Sequence, residues 1–282
     1  MIDKIFLYIT RFSALFVIFI VAWIFVVLFE HSMEALNRFG FDFILKDEWV
    51  PNQNLFGAKA AILGSVLSTL LAMLISIPIA LGVAIFLSEI APSKIRAFFG
   101  VSIELLAAIP SVIYGMWGLF FFVPLLRDIF GGAGIGLLTA GIILAIMILP
   151  FIAAISRDAM NTTPDILKES AYALGATKLN VIKDITIAYA KAGIIGSIIL
   201  GLGRAIGETM AVTFVMGNVH RLPSSITDPT TSIPVTLANE FTEADSSLYF
   251  SSLFALAFVL LIMSFIIIAT AKFYFLRKVR KS

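Results

Sequence analysis

Long stretches without a charged residue constrain this chain more than any other feature of its sequence. Five stretches contain no Asp, Glu, Lys or Arg: 12–29, 60–87, 105–126, 135–155 and 248–271. A sixth, 192–215, is apolar apart from Arg204 and Glu208. Because a helix needs about 20 apolar residues to cross the hydrocarbon core of a bilayer, the sequence predicts an all-α membrane protein with six transmembrane helices.

The composition supports a membrane protein and excludes several other classes. Hydrophobic residues make up 60% of the 282 residues and charged residues only 13%, whereas soluble domains average about 45–50% and about 25%. The absence of cysteine excludes disulfides, thiolate metal sites and cysteine nucleophiles, and we expect no metal and no cofactor. The histidines, His31 and His220, fall in polar loops, where we expect solvated side chains. A net charge of +2 gives no reason to expect nucleic acid as a partner.

The distribution of lysine and arginine predicts the orientation. If the six spans alternate, the N-terminus, the 88–97 and 156–191 loops and the C-terminal tail share one side and carry 14 of the 20 basic residues. The opposite side carries 5, and Arg204 is the remaining one. Since cytoplasmic segments are enriched in lysine and arginine, both termini are predicted to be cytoplasmic. The first span lacks an A-x-A-like cleavage site, so we expect it to be retained as an anchor.

The spans and loops suggest three regions. Residues 1–59 hold the N-terminal segment, the first span and an outer loop; residues 60–275 hold a five-helix core with the cytoplasmic loop 156–191; residues 276–282 form a basic tail. The outer loops 30–59 and 218–247 are rich in acidic residues. Their acidity is compatible with simple solvation and with a docking surface for an extracytoplasmic partner.

The cytoplasmic loop is predicted to form two short helices. Thr163 can cap the first, over 165–174, and Gly175 is placed to end it in the left-handed conformation. Thr177 can cap the second, over 178–187. The first helix repeats apolar and small residues at helical spacing: Ile166, Leu167, Ser170, Ala171 and Leu174. Such a face either packs on the membrane domain as a hairpin or fits a groove of a partner.

Two opposite charges occur inside the fifth span. Arg204 and Glu208 are four residues apart, which places them on one face of a continuous helix. They form either an internal salt bridge or part of a transport path. A charge at the bilayer centre costs about 2.5–3.5 kcal/mol, and apolar residues often replace a buried ion pair without loss of stability. We therefore favour a transport role.

Small and polar residues elsewhere in the spans suggest further roles. Gly203, Gly207 and Ala211 recur at four-residue spacing and form a stripe that would allow another helix to approach closely. Glu104 lies at the start of the third span, ahead of a predicted kink at Pro110. Glu104 is either a cytoplasmic-interface residue or a member of the same polar path as Arg204.

The cytoplasmic loop resembles a known docking motif. Glu169-Ser170-Ala171, followed by Gly175 and then by Ile185-Thr-Ile187, is similar to the EAA motif of ABC-importer permeases, E-A-A-x₃-G-x₉-I-x-L-P. Ser170 and Ile187-Ala188 depart from that pattern and keep its size class. The resemblance implies that Glu169, Ser170, Ala171 and Gly175 couple this chain to a cytoplasmic ATPase.

A more specific resemblance covers roughly residues 55 to 275. The segments 201–218, 103–115 and 145–150 resemble the fifth-, third- and fourth-span signatures of PstC-type phosphate permeases. The resemblance implies a type I ABC importer (MetI-like) permease fold in a bacterial inner membrane. It also implies a path for phosphate that includes Arg204, Glu208, Thr209 and Glu104. The implied partners are a PstA-type sister permease in a heterodimer, a homodimeric PstB-type ATPase, an extracytoplasmic PstS-type phosphate-binding protein and membrane lipid.

Three other functions remain open at the level of sequence. The chain has no G-x-x-x-x-G-K-[ST] motif, so a partner must hydrolyse ATP, and we expect no enzymatic activity. An importer for sulfate or molybdate is the nearest alternative. A membrane-embedded enzyme using Glu104, Arg204 and Glu208 lacks a nucleophile–base pair or a metal constellation. A simple channel would have no use for a loop that docks an ATPase.

Overall fold

The computed structural model describes the backbone of residues 2–279 and the side chains of residues 5–274. The predicted basic tail, 276–282, lies outside the residues whose side chains are described. Over the described part of the chain, six helical stretches are long and apolar enough to cross a membrane: Ile5–Phe39, Lys59–Ile90, Ser111–Phe130, Leu137–Asn161, Lys178–Ile206 and Ser247–Tyr274. The structure therefore confirms the predicted number of spans.

The spanning stretches are built from both α-helices and π-helical turns. The long helices are α1 (Ile2–Phe39), α3 (Lys59–Ile85), α4 (Ser93–Ala107), α7 (Leu137–Asn161), α10 (Ala188–Ile206) and α13 (Ser247–Val279). The shorter helices are α2 (Asp42–Leu45), α5 (Ser111–Trp117), α6 (Val123–Phe130), α8 (Asp165–Ala173), α9 (Lys178–Asn180), α11 (Met210–Thr213) and α12 (Ile233–Glu240). The π-helical turns are Phe86–Ile90, Gly118–Phe122 and Val181–Ile187.

Helix α7 forms the centre of the bundle. It packs against α3, α10 and α4, and Ile143, Ile148 and Ile152 are fully buried. Helix α1 lies outside this core and packs along α13. Most described side chains of α1 between residues 5 and 26 are exposed and apolar, which suits a helix that faces lipid.

The third predicted span, 105–126, is not one kinked helix. Helix α4 ends at Ala107, and a new helix begins at Ser111. Pro110 has no backbone N–H and disfavours helical geometry at Ile109, so the helix stops there. The hydroxyl of Tyr114 donates to the carbonyl of Leu106 at 2.8 Å. This bond satisfies one of the carbonyls that the break leaves without a helical partner.

The outer face is more ordered than two solvated loops. Helix α1 continues to Phe39, ten residues beyond the predicted end of the first span. A small antiparallel hairpin follows, in which β1 (Trp49–Val50) pairs with β2 (Leu55–Phe56). His31 lies within α1 and not in a loop, and its ring stacks on Phe254 with centroids 4.8 Å apart.

A buried hydrogen-bond network joins the two outer loops through one carboxylate. Trp49 Nε1 and the Tyr249 hydroxyl donate to Glu240 Oε2 at 2.5 Å and 2.7 Å. His220 Nε2 donates to Glu240 Oε1 at 2.5 Å, and the His220 side chain is only 13% exposed. The prediction of a solvated His220 is therefore wrong. Burial alone would raise the pKa of Glu240, but the bonds from His220, Tyr249 and Trp49 outweigh it and lower that pKa.

The outer segment before α12 lies directly against α3. The backbone N–H of Ile233 donates to Ser65 Oγ at 2.8 Å. Gly64 lies one residue earlier, and a side-chain carbon there would collide with the backbone carbonyl of Thr231. A backbone carbonyl cannot move aside as a flexible side chain can, so this contact requires glycine in α3.

We expect Gly64→Ala to destabilise the protein. The added methyl group forces α3 and residue 231 apart, at a cost of about 1–3 kcal/mol, so the melting temperature of the purified protein in detergent should fall. Gly82→Ala is the matched control, because Gly82 lies in the same helix with no atom within 4 Å of its added carbon. An equal change in both variants would contradict this description of the α3 contact.

Candidate functional site

Arg204 lies in the last turn of α10, beside an interruption of the fifth span. Helix α10 ends at Ile206, the backbone unwinds through 207–209, and the short helix α11 begins at Met210. The predicted span 192–215 is therefore wrong at both ends, because the helical stretch begins at Lys178 and ends at Ile206. Gly207 weakens the helix at the point where it ends, since glycine is among the poorest helix formers.

The break separates Arg204 from Glu208. The two residues do not share one helical face. Among the residues whose side chains are described, none forms a salt bridge with Arg204. Glu208 Oε1 instead accepts a hydrogen bond from the backbone N–H of Ala211 at 3.1 Å. Of the two alternatives, the internal salt bridge is therefore excluded for the described residues, and Glu208 instead stabilises the first turn after the break.

Arg204 retains donor capacity that the described residues do not use. Its Nε is buried without a hydrogen-bond partner. Its Cζ lies 5.8 Å from the ring centroid of Phe151 on α7, within the range of a cation–π contact. A guanidinium has five N–H donors and carries a permanent charge. A ring face satisfies only part of that charge, so the site suits an oxygen anion.

Helix α11, which follows the unwound segment, packs against α5. Gly115 faces Ala211 and Phe214 so closely that a side chain on Gly115 would meet the Ala211 carbonyl at 2.9 Å. The carbonyl of Thr209 accepts from Thr213 Oγ1 at 2.8 Å. Irregular backbone at membrane depth is tolerated only where protein buries it or where it lines a watery path. The unwound residues 207–209, which include Glu208 and Thr209, are therefore a polar interruption of an otherwise apolar stretch.

The predicted small-residue stripe is not continuous. Gly203 faces Ile268 of α13, whereas Ala211 faces Gly115 of α5. Gly207 lies between them in the unwound segment and is exposed. The prediction of one packing face for Gly203, Gly207 and Ala211 is wrong because it assumed that one helix carries all three residues.

Glu104 pairs with a residue that the sequence did not suggest. Its Oε1 lies 2.8 Å from Arg157 Nη2, and Arg157 also pairs with Asp158 at 2.8 Å. The Arg157 side chain is only 11% exposed and fits over Gly100. The structure places Glu104 in α4 and brings it into contact with neither Arg204 nor Glu208. The sequence does carry one signal that could have singled out Arg157: two adjacent opposite charges, at 157 and 158, directly after an uncharged run.

The 156–191 loop contains the predicted first helix, and the predicted second helix continues into the fifth span. Helix α8 ends at Ala173, and Gly175 has a left-handed φ of +84°. Thr177 Oγ1 accepts from Asn180 N at 3.4 Å. The prediction for Thr163 is wrong, because its hydroxyl is buried without a partner and does not cap α8. The helical stretch that begins at Lys178 continues through the π-helical turn 181–187 into α10.

The first of these helices presents an uncovered apolar face. No residue of α8 is buried, and Leu174, just beyond its end, is 90% exposed. Glu169 and Ser170 are exposed and Ala171 is half-buried. Although α8 contacts the 181–187 turn, packing as a hairpin leaves this apolar surface open. Of the two predicted alternatives, a partner that covers this face of α8 is therefore favoured over a self-packed hairpin.

Comparison with known proteins agrees with this arrangement. Residues 76–281 match the family model described as binding-protein-dependent transport system inner membrane component. The chain is 45% identical to the phosphate transport system permease protein PstC of Mesorhizobium japonicum, covering 98% of this chain and 90% of the relative. It is also 45% identical to PstC of Pasteurella multocida, covering 96% and 91%.

Solved structures show the same fold at low sequence identity. The bacterial alginate ABC transporter in complex with its alginate-bound periplasmic protein gives a TM-score of 0.63 at 16% identity, covering 94% of both chains. The inward-facing MetNI methionine ABC transporter gives 0.58 at 20%, covering 78% of this chain and 94% of that one. These similarities confirm the predicted six-helix importer-permease fold. The chain belongs to the binding-protein-dependent transport system inner membrane components, and its relatives in that family include the PstC permeases.

Proposed function

We propose that this chain is a permease subunit of an ATP-driven ABC importer and forms half of the transmembrane path for inorganic phosphate. The observation that carries the proposal is Arg204, a permanent cation with a buried, unpartnered Nε beside a helix break. The named relatives are transport permeases and not enzymes. ATP hydrolysis therefore belongs to a partner subunit.

The chemistry of Arg204 suits a phosphate ion in transit. A guanidinium offers two parallel donors to a tetrahedral oxyanion and keeps its charge at every relevant pH. Broken helices at substrate sites are a recurring device of transporters, because they free backbone groups where a polar solute passes. Glu208 and Thr209 lie in the unwound segment and would meet the solute there. Glu208 also opposes permanent capture of the anion by its negative charge.

The surfaces of the chain suggest how it assembles. The exposed apolar face of α8, with Glu169, Ser170, Ala171 and Gly175, would dock on a homodimeric PstB-type ATPase. The acidic outer loops 30–59 and 218–247 would face a PstS-type phosphate-binding protein. A PstA-type sister permease would supply the second half of the path. The ratio of 14 to 5 basic residues supports an orientation in a bacterial inner membrane with both termini in the cytoplasm.

A related oxyanion such as sulfate or molybdate is the second candidate substrate, because a guanidinium binds any tetrahedral oxyanion. Uptake of labelled phosphate in the presence of excess sulfate or molybdate separates these substrates. Competition by either anion, equal to that by unlabelled phosphate, would favour the second candidate.

Changing Arg204 should abolish uptake. Arg204→Ala removes the charge and Arg204→Lys removes the paired donors, so we expect uptake of labelled phosphate by cells to fall about 10- to 100-fold, as for loss of a charge-assisted hydrogen bond. Arg127→Ala is the control, since it removes a largely exposed arginine of α6, outside both outer loops. Co-purification of the partner subunits must be unchanged. Normal uptake by either Arg204 variant would refute its role in the path.

Changing Gly175 should uncouple the ATPase from transport. Its left-handed φ is unfavourable for a β-branched residue, whereas asparagine tolerates it. No atom lies within 4 Å of an added carbon, so the effect would come from backbone conformation. We expect Gly175→Val to lose binding-protein-stimulated ATP hydrolysis and uptake, and Gly175→Asn to retain most of both. Equal activity of the two variants would contradict a role for this turn in coupling.

A further inference from the structure

Helix α8 is tied to the membrane core by one partly buried ion pair. Lys168 Nζ lies 2.7 Å from Glu89 Oε1. The two side chains are only 18% and 9% exposed, although α8 as a whole is largely exposed. Other lysine and arginine pairs, such as Lys46–Asp42 and Arg127–Asp128, are largely exposed. The Lys168–Glu89 pair is therefore weakly screened and holds a defined geometry.

Glu89 lies in a rigid part of the bundle. It belongs to the π-helical turn 86–90 that extends α3. Leu87, in the same turn, is 1% exposed, and Ser88 Oγ contacts Met160 Sδ of α7 at 3.4 Å. Helix α3 packs along α7 and also contacts α10. A force on Glu89 would therefore act on the core and not on a loose end of the chain.

These contacts give α8 an ionic connection to the bundle besides its two covalent ones. The covalent connections lead from the end of α7 through residues 162–164, and through Gly175 and the 178–187 segment to α10, which carries Arg204. The ionic connection runs from Lys168 to the end of α3. The covalent connections hold α8 at its two ends, so the ion pair adds a third point that fixes the rotation of α8 about its own axis.

We propose that the Lys168–Glu89 pair is the joint through which movement of α8 reaches α3, so that both are positioning residues for energy coupling. The proposal rests on the proposed function of the chain as an importer permease. An apolar contact would also attach α8, but it would tolerate sliding. A short ion pair of low exposure fixes one register, and removal of either partner leaves the other charge desolvated and unpaired.

The test uses the whole transporter, purified with its partner subunits and reconstituted with the binding protein. The variants are Glu89→Gln, Lys168→Met and the double charge exchange of Glu89→Lys with Lys168→Glu. Lys178→Met, at an exposed lysine of the same loop, is the matched control. Each single change should lower the phosphate transported per ATP hydrolysed about fivefold or more. The charge exchange should restore this ratio to at least half of its native value, and the control variant should leave the ratio unchanged.

A distance measurement separates failure of the joint from failure of the phosphate assignment. The chain has no cysteine, so Phe86→Cys and Tyr172→Cys, at exposed positions of the 86–90 turn and α8, give two unique sites for spin labels. We expect a narrow inter-label distance distribution in the native pair, a broad one in each single variant and a narrow one again in the charge exchange.

The transport ratio and the inter-label distances are interpreted together. If the single variants keep the narrow distance distribution, or keep the normal ratio of phosphate transported to ATP hydrolysed, the proposal that this pair is a joint is overturned. The distance distribution could broaden in the single variants and narrow again in the charge exchange while the transporter moves no phosphate. That result would support the joint and refute the phosphate assignment. Loss of complex formation in the single variants with no recovery in the charge exchange would also overturn the proposal, since it would show a structural role only.

Discussion

A polar group inside a bilayer must find its partner within the protein, because hydrocarbon offers none. This constraint explains why the spans of this chain are helices and why each departure from helix is compensated. Where α4 stops at Ala107, the Tyr114 hydroxyl bonds to the carbonyl of Leu106. Where α10 stops at Ile206, the Glu208 carboxylate bonds to the N–H of Ala211. Among the described residues, five buried side-chain atoms have no partner: the hydroxyls of Thr69, Ser76, Thr163 and Thr186, and Arg204 Nε. Arg204 is the one of these that carries a charge, and an uncompensated donor on a cation indicates an anionic ligand.

The sequence was sufficient for features that depend on composition and short-range pattern. Six apolar runs predicted six spans, and Gly175 predicted a left-handed turn after α8. These predictions succeed because hydrophobic length and the absence of a side chain act locally. The same reasoning failed at Pro110 and Gly207, where it allowed a kink or a continuous helix and the chain instead breaks. A helix break depends on whether neighbouring elements satisfy the freed groups, and that information is not local.

The long-range polar contacts were the least predictable part of the structure. Trp49 and Glu240 are 191 residues apart, and Glu89 and Lys168 are 79 apart. Sequence proximity suggested Arg204 with Glu208, yet the helix break separates them; Glu104 lies elsewhere and pairs with Arg157. Spacing predicts a pair only if the helix that carries both residues is continuous. His220 was misjudged for a related reason, because its loop folds over the hairpin at 49–56 and buries the ring against Trp49.

The arrangement of helices connects the proposed docking face of α8 with the proposed phosphate path. The helical stretch from 178 to 206 carries the end of the 156–191 loop at one terminus and Arg204 at the other. A shift of α8 that is passed to this stretch would therefore move Arg204 and the unwound segment 207–209 relative to α5. Helix α3 would follow through Glu89, and α7, which packs against both α3 and α10, would remain the common axis. Close packing does not deform continuously, so such a movement would switch the bundle between discrete arrangements.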